Sequence, residues 1–235
     1  MTGYPQKVKP QRNPLTVITE MRDIAIYGAG GFGREVACMI NKINNTAQPI
    51  WKLIGFFDDG KEPDAAVSHF GKVLGGLETL NNWSSPLCVA LCFGNPNTVR
   101  NVRDRLTNPN LEFPNLIDPS FSIADPETFS IGLGNIIKGD CHVTTNVKIG
   151  NFNLLNGYVA IGHDVSIGDF NAIMPGARIS GEVKIGNQNL LGADCFIKQL
   201  IKIGSHVTIS PLSALLTKPK DGMTYIGNPA KIFKF

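Results

Sequence analysis

Residues 156–186 read NGYVAIGHDVSIGDFNAIMPGARISGEVKIG. Within this stretch Ile161, Ile167, Ile173, Ile179 and Ile185 stand six positions apart. The series continues in both directions, through Ile131, Ile137, Val143, Ile149 and Leu155 before it and Leu191, Ile197, Ile203, Ile209 and Leu215 after it. A second period lies on the first: Ile-Gly begins at 131, 149, 167, 185 and 203, and Asn135, Asn153, Asn171 and Asn189 are also 18 apart. Three six-residue units therefore close one coil, each unit a short strand and a turn with its branched aliphatic pointing inward. This predicts a left-handed parallel β-helix of triangular section, built from hexapeptide repeats over residues 131–217. Stacked coils pair the amides of each strand with the next coil and bury a continuous aliphatic column. The 18-spaced Asn residues are expected in the turns, where Asn tolerates positive φ.

Upstream, residues 21–117 follow a different rule. Ile24-Ala25-Ile26-Tyr27 is a short apolar strand, followed by Gly28-Ala29-Gly30-Gly31-Phe32-Gly33 and then REVACMINKIN with helical periodicity at Val36, Met39, Ile40 and Ile43. Strand, glycine-rich turn and helix in this order let a backbone approach an anionic phosphate at a helix N-terminus. A second strand, WKLIGFFDD, ends at Asp58 and Asp59, about where an acidic residue meets a ribose in dinucleotide folds. One further apolar strand (Leu87 to Phe93) and a helix (Asn97 to Leu106) complete the unit. That predicts an α/β, Rossmann-like half-domain suited to a mononucleotide rather than a complete dinucleotide sheet. A plain βαβ turn without a ligand is the alternative. Residues 118–130 carry Pro119 and Pro126 and read as a junction, and residues 218–235 as a tail that leaves the repeat.

Composition removes several classes. The 235 residues carry a net charge of +3 with no Lys/Arg cluster interleaved with aromatics, so no nucleic-acid footprint exists. No apolar run reaches the roughly 18 residues of a membrane span. Residues 1–20 lack the apolar core of a secretory signal and are read as a disordered extension. Five cysteines without a CxxC pair point to single thiols in a reducing, cytoplasmic setting.

Chemistry concentrates at one corner. In an 18-residue coil His163 has Thr145 below it and Gly181 above it, about 4.8 Å away. A histidine can take a proton near neutral pH. The bare Gly181 amide can donate to a developing oxyanion, and Asp164 can orient the ring. A surface histidine at a turn is the competing reading. His142 and His206 fall on the outside of the coil, and the four histidines show no clustered spacing, so no metal is expected.

These residues resemble a known family, the hexapeptide-repeat sugar acyltransferases typified by UDP-4-amino-sugar N-acetyltransferases and sialic acid O-acetyltransferases. The resemblance spans about residues 22–235 and rests on the GAGGFGRE motif, the GFFDD strand end, the NGYVAIGHDVSIG segment and the GNPAKIFKF ending. It implies His163 as catalytic base with Asp164 as its partner, and Asn156 near the substrate. It implies a nucleotide-sugar site at Gly28, Gly30, Gly31, Gly33, Asp58 and Asp59. Contacts to acetyl-CoA fall on Gly181, Ala193 and Pro211, with the cofactor lying between neighbouring β-helices of a homotrimer. There is a departure: where many members carry a second histidine, this chain has Ala172. The implied activity is N-acetylation of a nucleotide-linked amino sugar. O-acetylation of a free sugar such as a sialic acid, a nicotinamide-dependent oxidoreductase and a non-catalytic scaffold are the alternatives.

Overall fold

The computed structural model describes residues 21–46 and 48–234. The reading of residues 1–20 as a disordered extension lies outside the described residues.

The N-terminal region is a five-stranded parallel sheet of order β3-β2-β1-β4-β5. Its strands are β1 (Arg22–Tyr27), β2 (Trp51–Phe57), β3 (Val73–Gly75), β4 (Leu87–Leu91) and β5 (Leu111–Glu112). β1 is central, so Ile24, Ala25, Ile26 and Tyr27 are all buried and the strand reads as an unbroken apolar run rather than an alternating one. Helix α1 (Gly31–Asn44) buries Val36, Ala37, Met39 and Ile40. Helix α3 (Pro96–Arg105) starts where Asn95 Oδ1 accepts from the Asn97 and Thr98 amides and Pro96 occupies the first turn. The sequence pattern missed β3, β5 and the five-residue helix α2 (Leu77–Asn81). Each is too short to carry a period of its own.

The remainder is a three-sided parallel solenoid. One sheet has eight strands, the second six and the third five. The first face, which we term the docking face, runs from Leu116–Ile117 through the strands beginning at Ile136, Leu154, Ala172, Leu190 and Thr208 to Thr224–Ile226. The second includes Ser122–Ile123, His142–Val143, Ala160–Ile161 and Arg178–Ile179, and the third Lys148–Ile149, Ser166–Ile167 and Lys184–Ile185. The ladder thus begins at Leu116, before the unbroken hexad series. Ser122–Ile123, within the stretch read as a junction, and Ser130–Ile131, at its end, already pair with the next coil. Thr224–Ile226 extends the docking face beyond the hexads, and antiparallel Lys231–Ile232 closes that edge. From Ile137 to Leu215 every predicted inward aliphatic is buried.

The turn chemistry differs from expectation. Positive φ falls every sixth residue on Asp140, Asn146, Phe152, Tyr158, Asp164, Phe170 and their successors, not on the 18-spaced Asn residues. Those Asn side chains lie inside the coil. Asn153 Nδ2 donates to Asn135 Oδ1 at 3.1 Å and to the Gly168 carbonyl at 2.9 Å, and Asn171 and Asn189 repeat the pattern. Buried amides are costly unless paired, and a vertical ladder pairs them. The glycine of each Ile-Gly pair is demanded by close approach. A Cβ on Gly150 would lie 2.5 Å from the Gly168 carbonyl oxygen.

The N-terminal region sits on the docking face. Leu116, Ile136, Leu154 and Ala172 share one apolar core with Val36, Met39 and Ile40. Lys42 pairs with the buried carboxylate of Asp118 at 2.7 Å, and Lys138 with Glu35 at 2.5 Å. On the other flank Arg103 lies over the rings of Phe113 and Phe152, and Arg100 over Phe170.

Candidate active site

His163 occupies the corner between the second and third faces, the vertex opposite the docking face. Its Nδ1 is 2.8 Å from Asp164 Oδ2. With the Nδ1 proton donated to this carboxylate, Nε2 keeps its lone pair for a substrate proton. Asp164 has φ +60°, and this backbone turns its side chain alongside the ring of its own neighbour. The coils lock the pair in register: the Asp164 amide donates to the Thr145 carbonyl at 3.0 Å, and the Glu182 amide to the His163 carbonyl at 2.8 Å. The Asn146 amide beside Asp164, and then the His163 ring, hold its carboxyl below the usual carboxylate range.

Gly181 lies over the imidazole. A Cβ there would collide with Nε2, so the ring keeps this position only above a glycine. Among the described residues the Gly181 N–H donates to no group. His163 and Asp164 are each about half exposed, at 49% and 47% of their side-chain surface. An open hollow of about 590 Å³ adjoins Asp164 on the third face, lined also by Asn146, Lys148, Glu182, Lys184 and Lys202 among others. The corner can therefore hold a proton acceptor, a charged orienting group and a free amide donor side by side.

Asn156, Ala193 and Pro211 stand at a different corner, where the docking face meets the second face. The Leu212 amide donates to the Ala193 carbonyl at 2.8 Å, stacking the last two. Asn156 Nδ2 faces Met174 Sδ at 3.7 Å while its buried Oδ1 has no partner among the described residues. Ala172 points from the docking face into the core shared with α1 and is 3% exposed.

The glycine loop forms a third group. A Cβ on Gly28 would meet the Cys92 carbonyl oxygen at 2.6 Å, and one on Gly33 would strike the Gly28 carbonyl, so both serve the close strand–helix packing. Gly30 and Gly31 face open space, and α1 starts there with no side-chain cap on its N–H groups. Asp58 Oδ2 accepts from the Ala29 amide at 2.7 Å and Oδ1 from the Gly60 amide at 2.9 Å, fixing the loop. Asp59 Oδ2 accepts from the Tyr27 hydroxyl at 2.6 Å and Oδ1 from the Leu77 amide at 2.7 Å. Burial raises the Asp59 carboxyl, but these two donors outweigh it and leave it below the ordinary range. Burial, with Asp59 alongside, drives the Tyr27 phenol well up. Both carboxylates are thus engaged within the fold. The loop opens where the strand order reverses between β1 and β4, the usual crevice for a ligand in parallel α/β sheets. Sequence reading passed over the other wall of that crevice, Phe93-Gly94-Asn95, although Gly94 before a helix cap is a signal of the same type.

Residues 23–106 match the PglD N-terminal domain family. The acetyltransferase domain of PglB from Neisseria gonorrhoeae, also solved in complex with acetyl coenzyme A, is 26% identical. It superposes with a TM-score of 0.79 over 90% of this chain and 100% of its own. WeeI from Acinetobacter baumannii matches with 26% identity and a TM-score of 0.79, covering 91% of this chain and 100% of its own. The chain is built like the hexapeptide-repeat sugar acetyltransferases. Its solenoid is the left-handed β-helix of those proteins. PerB from Caulobacter crescentus, solved with CoA and GDP-perosamine, shares the fold at 19% identity and a TM-score of 0.77 over 92% of this chain and 99% of its own. No curated protein matches by sequence. Among the described residues no three His, Cys, Asp or Glu gather into a metal-holding group, and no helix is long and apolar enough to cross a membrane.

Cys141 and Cys195 are buried, and desolvation pushes the Cys195 thiol up to about 12. A thiol so held is a poor nucleophile.

Proposed function

We propose that this chain is a cytoplasmic acetyltransferase that moves the acetyl group of acetyl-CoA to the amine of a nucleotide-linked amino sugar. The observation that carries the reading is His163: Nδ1 bound to Asp164, Nε2 open, and the ring seated on Gly181 with its free N–H. The likeness to PglB, solved with acetyl coenzyme A, supports the donor. The PglD N-terminal domain match and the open Gly30-Gly31 turn support a nucleotide-sugar acceptor.

In this mechanism the neutral amine attacks the thioester carbon and His163 Nε2 takes its proton. The tetrahedral oxyanion accepts a hydrogen bond from the Gly181 amide. Collapse breaks the C–S bond, and the proton returns to the CoA thiolate. Asp164 keeps the proton of the resting ring on Nδ1 and balances the imidazolium.

Within one chain the glycine loop belongs to the region over the docking face, while His163 stands at the opposite vertex. A homotrimer resolves this separation: His163 and Gly181 of one copy meet Asn156, Ala193, Pro211 and the glycine loop of the next. The donor then lies between two β-helices. The test is CoA release from acetyl-CoA with a panel of UDP-, dTDP- and GDP-linked amino sugars and free sialic acid. Turnover with a nucleotide amino sugar that His163→Ala abolishes is the expected result. Turnover with the free sugar alone would replace the acceptor, and turnover unchanged in His163→Ala would overturn the mechanism.

A further inference from the structure

Asp164 can orient His163 only if something orients Asp164. The carboxylate is half exposed and sits on a corner, where water competes for it. One coil below, Asn146 Nδ2 donates to Asp164 Oδ1 at 2.6 Å, leaving Oδ2 for His163 Nδ1 at 2.8 Å. The two oxygens are thereby divided between two donors, which fixes the rotation of the carboxylate plane. Asn146 is itself anchored. Its φ is +54°, and its backbone N–H donates to Thr128 Oγ1 at 2.7 Å. The Thr128 hydroxyl donates in turn to Asp125 Oδ2 at 2.7 Å, which also accepts from Thr145 Oγ1 at 2.7 Å. A continuous chain of polar groups thus runs over successive coils from Asp125 to the imidazole.

The geometry points to Asn146 as the positioning residue of the His163–Asp164 pair. It acts through Asp164 and touches no reacting atom. This inference rests on the acetyltransferase reading for its kinetic consequence but not for its structural one. The shift of the Asp164 carboxyl is consistent with it, since the Asn146 amide is its largest cause. The charged groups around the same hollow, Lys148, Glu182, Lys184 and Lys202, have no hydrogen bond or ion pair to either Asp164 oxygen among the described residues.

Two variants separate the amide from the backbone it stands on. Asn146→Gly accepts the positive φ and removes only the side chain. Asn146→Asp keeps the shape and sets a carboxylate against Asp164 in place of a donor. The first readout needs no substrate: imidazole nitrogen NMR of the full-length protein, with His163→Gln to assign the signal. Wild type holds the neutral ring as the Nδ1–H tautomer. Both variants are expected to shift the ring toward Nε2–H, with the amide fingerprint of the solenoid otherwise retained. Kinetically, kcat falls about tenfold to a hundredfold in Asn146→Gly and further in Asn146→Asp, with KM for acetyl-CoA little changed, the scale of one hydrogen bond to a charged group. A tautomer unchanged in both variants would overturn the proposal even if the wild-type enzyme turns over. A tautomer that shifts in both variants, beside a wild type silent on every acceptor, would uphold Asn146 and reject the acetyltransferase reading instead.

Discussion

The solenoid and the sheet region are written in the sequence in opposite ways. In the solenoid one instruction is repeated: a branched aliphatic every six residues, a left-handed corner three residues later, and a glycine or Asn where the coils press closest. Within the solenoid each coil contacts only its neighbours, so its strands pair at a spacing of 18 residues and the periodic pattern is the structure. The N-terminal sheet is assembled from single instructions. Gly28 and Gly33 fit one crossing, Asp58 ties one loop, and Asn95 caps one helix. The redundancy of the first region leaves its corners free to vary, and the proposed chemistry sits on one of them. The uniqueness of the second makes its motif residues structural first.

The largest expected effect is on that free corner. His163→Ala should lower kcat by about 10²–10⁴-fold, the usual scale for a general base, while the melting temperature stays put. A parallel loss of fold would mean that corners are as constrained as the interior. Next in size, Leu155→Ala in the inner column should cost about 2–5 kcal/mol by denaturant titration, with amide exchange accelerated mainly in the adjacent coils. Exchange rising equally in the N-terminal sheet would deny the nearest-neighbour character of the solenoid. Gly33→Ala should cost about 1–3 kcal/mol by driving α1 off the Gly28 carbonyl, and this loss should centre on the N-terminal sheet. Asn171→Ala should cost about 2 kcal/mol, because it strands Asn189 and the Gly186 carbonyl in the interior.

The smallest effect concerns the seam between the regions. Burial raises the Asp118 carboxyl, but Lys42 and Ser120 outweigh it and hold it below its ordinary value. A carboxylate depressed in the folded state contributes stability above its unfolded pKa near 3.9 and loses it as pH falls through the lower folded value. Asp118→Asn should therefore flatten the acid limb of the stability curve by about 1 kcal/mol. An acid limb identical to wild type would show that the ion pair does not join the two regions energetically.

The corners show where sequence reasoning stops. His163, Asp164 and Gly181 were legible because their partners lie at a spacing of 1 or 18. Asn146 obeys the same spacing to Asp164, and the 18-residue register alone could have found it. The 18-spaced Asn residues were legible as a set but not in their role. A period reveals equivalence, whereas burial decides whether Asn bends a chain or bridges two coils. Asp58 and Asp59 stood where a ribose partner is expected, yet their oxygens meet Ala29, Gly60, Tyr27 and Leu77. No local pattern announces those long-range bonds.

The sequence by itself therefore determined the coil, its inward column, and the histidine, carboxylate and glycine of one corner, because all of these are local or periodic. Tertiary structure alone decided that the N-terminal sheet covers the docking face and leaves His163 at the opposite vertex. The physical reason is that the docking depends on the match of two apolar surfaces, Val36 and Met39 against Ile136, Leu154 and Ala172, which no spacing along the chain encodes.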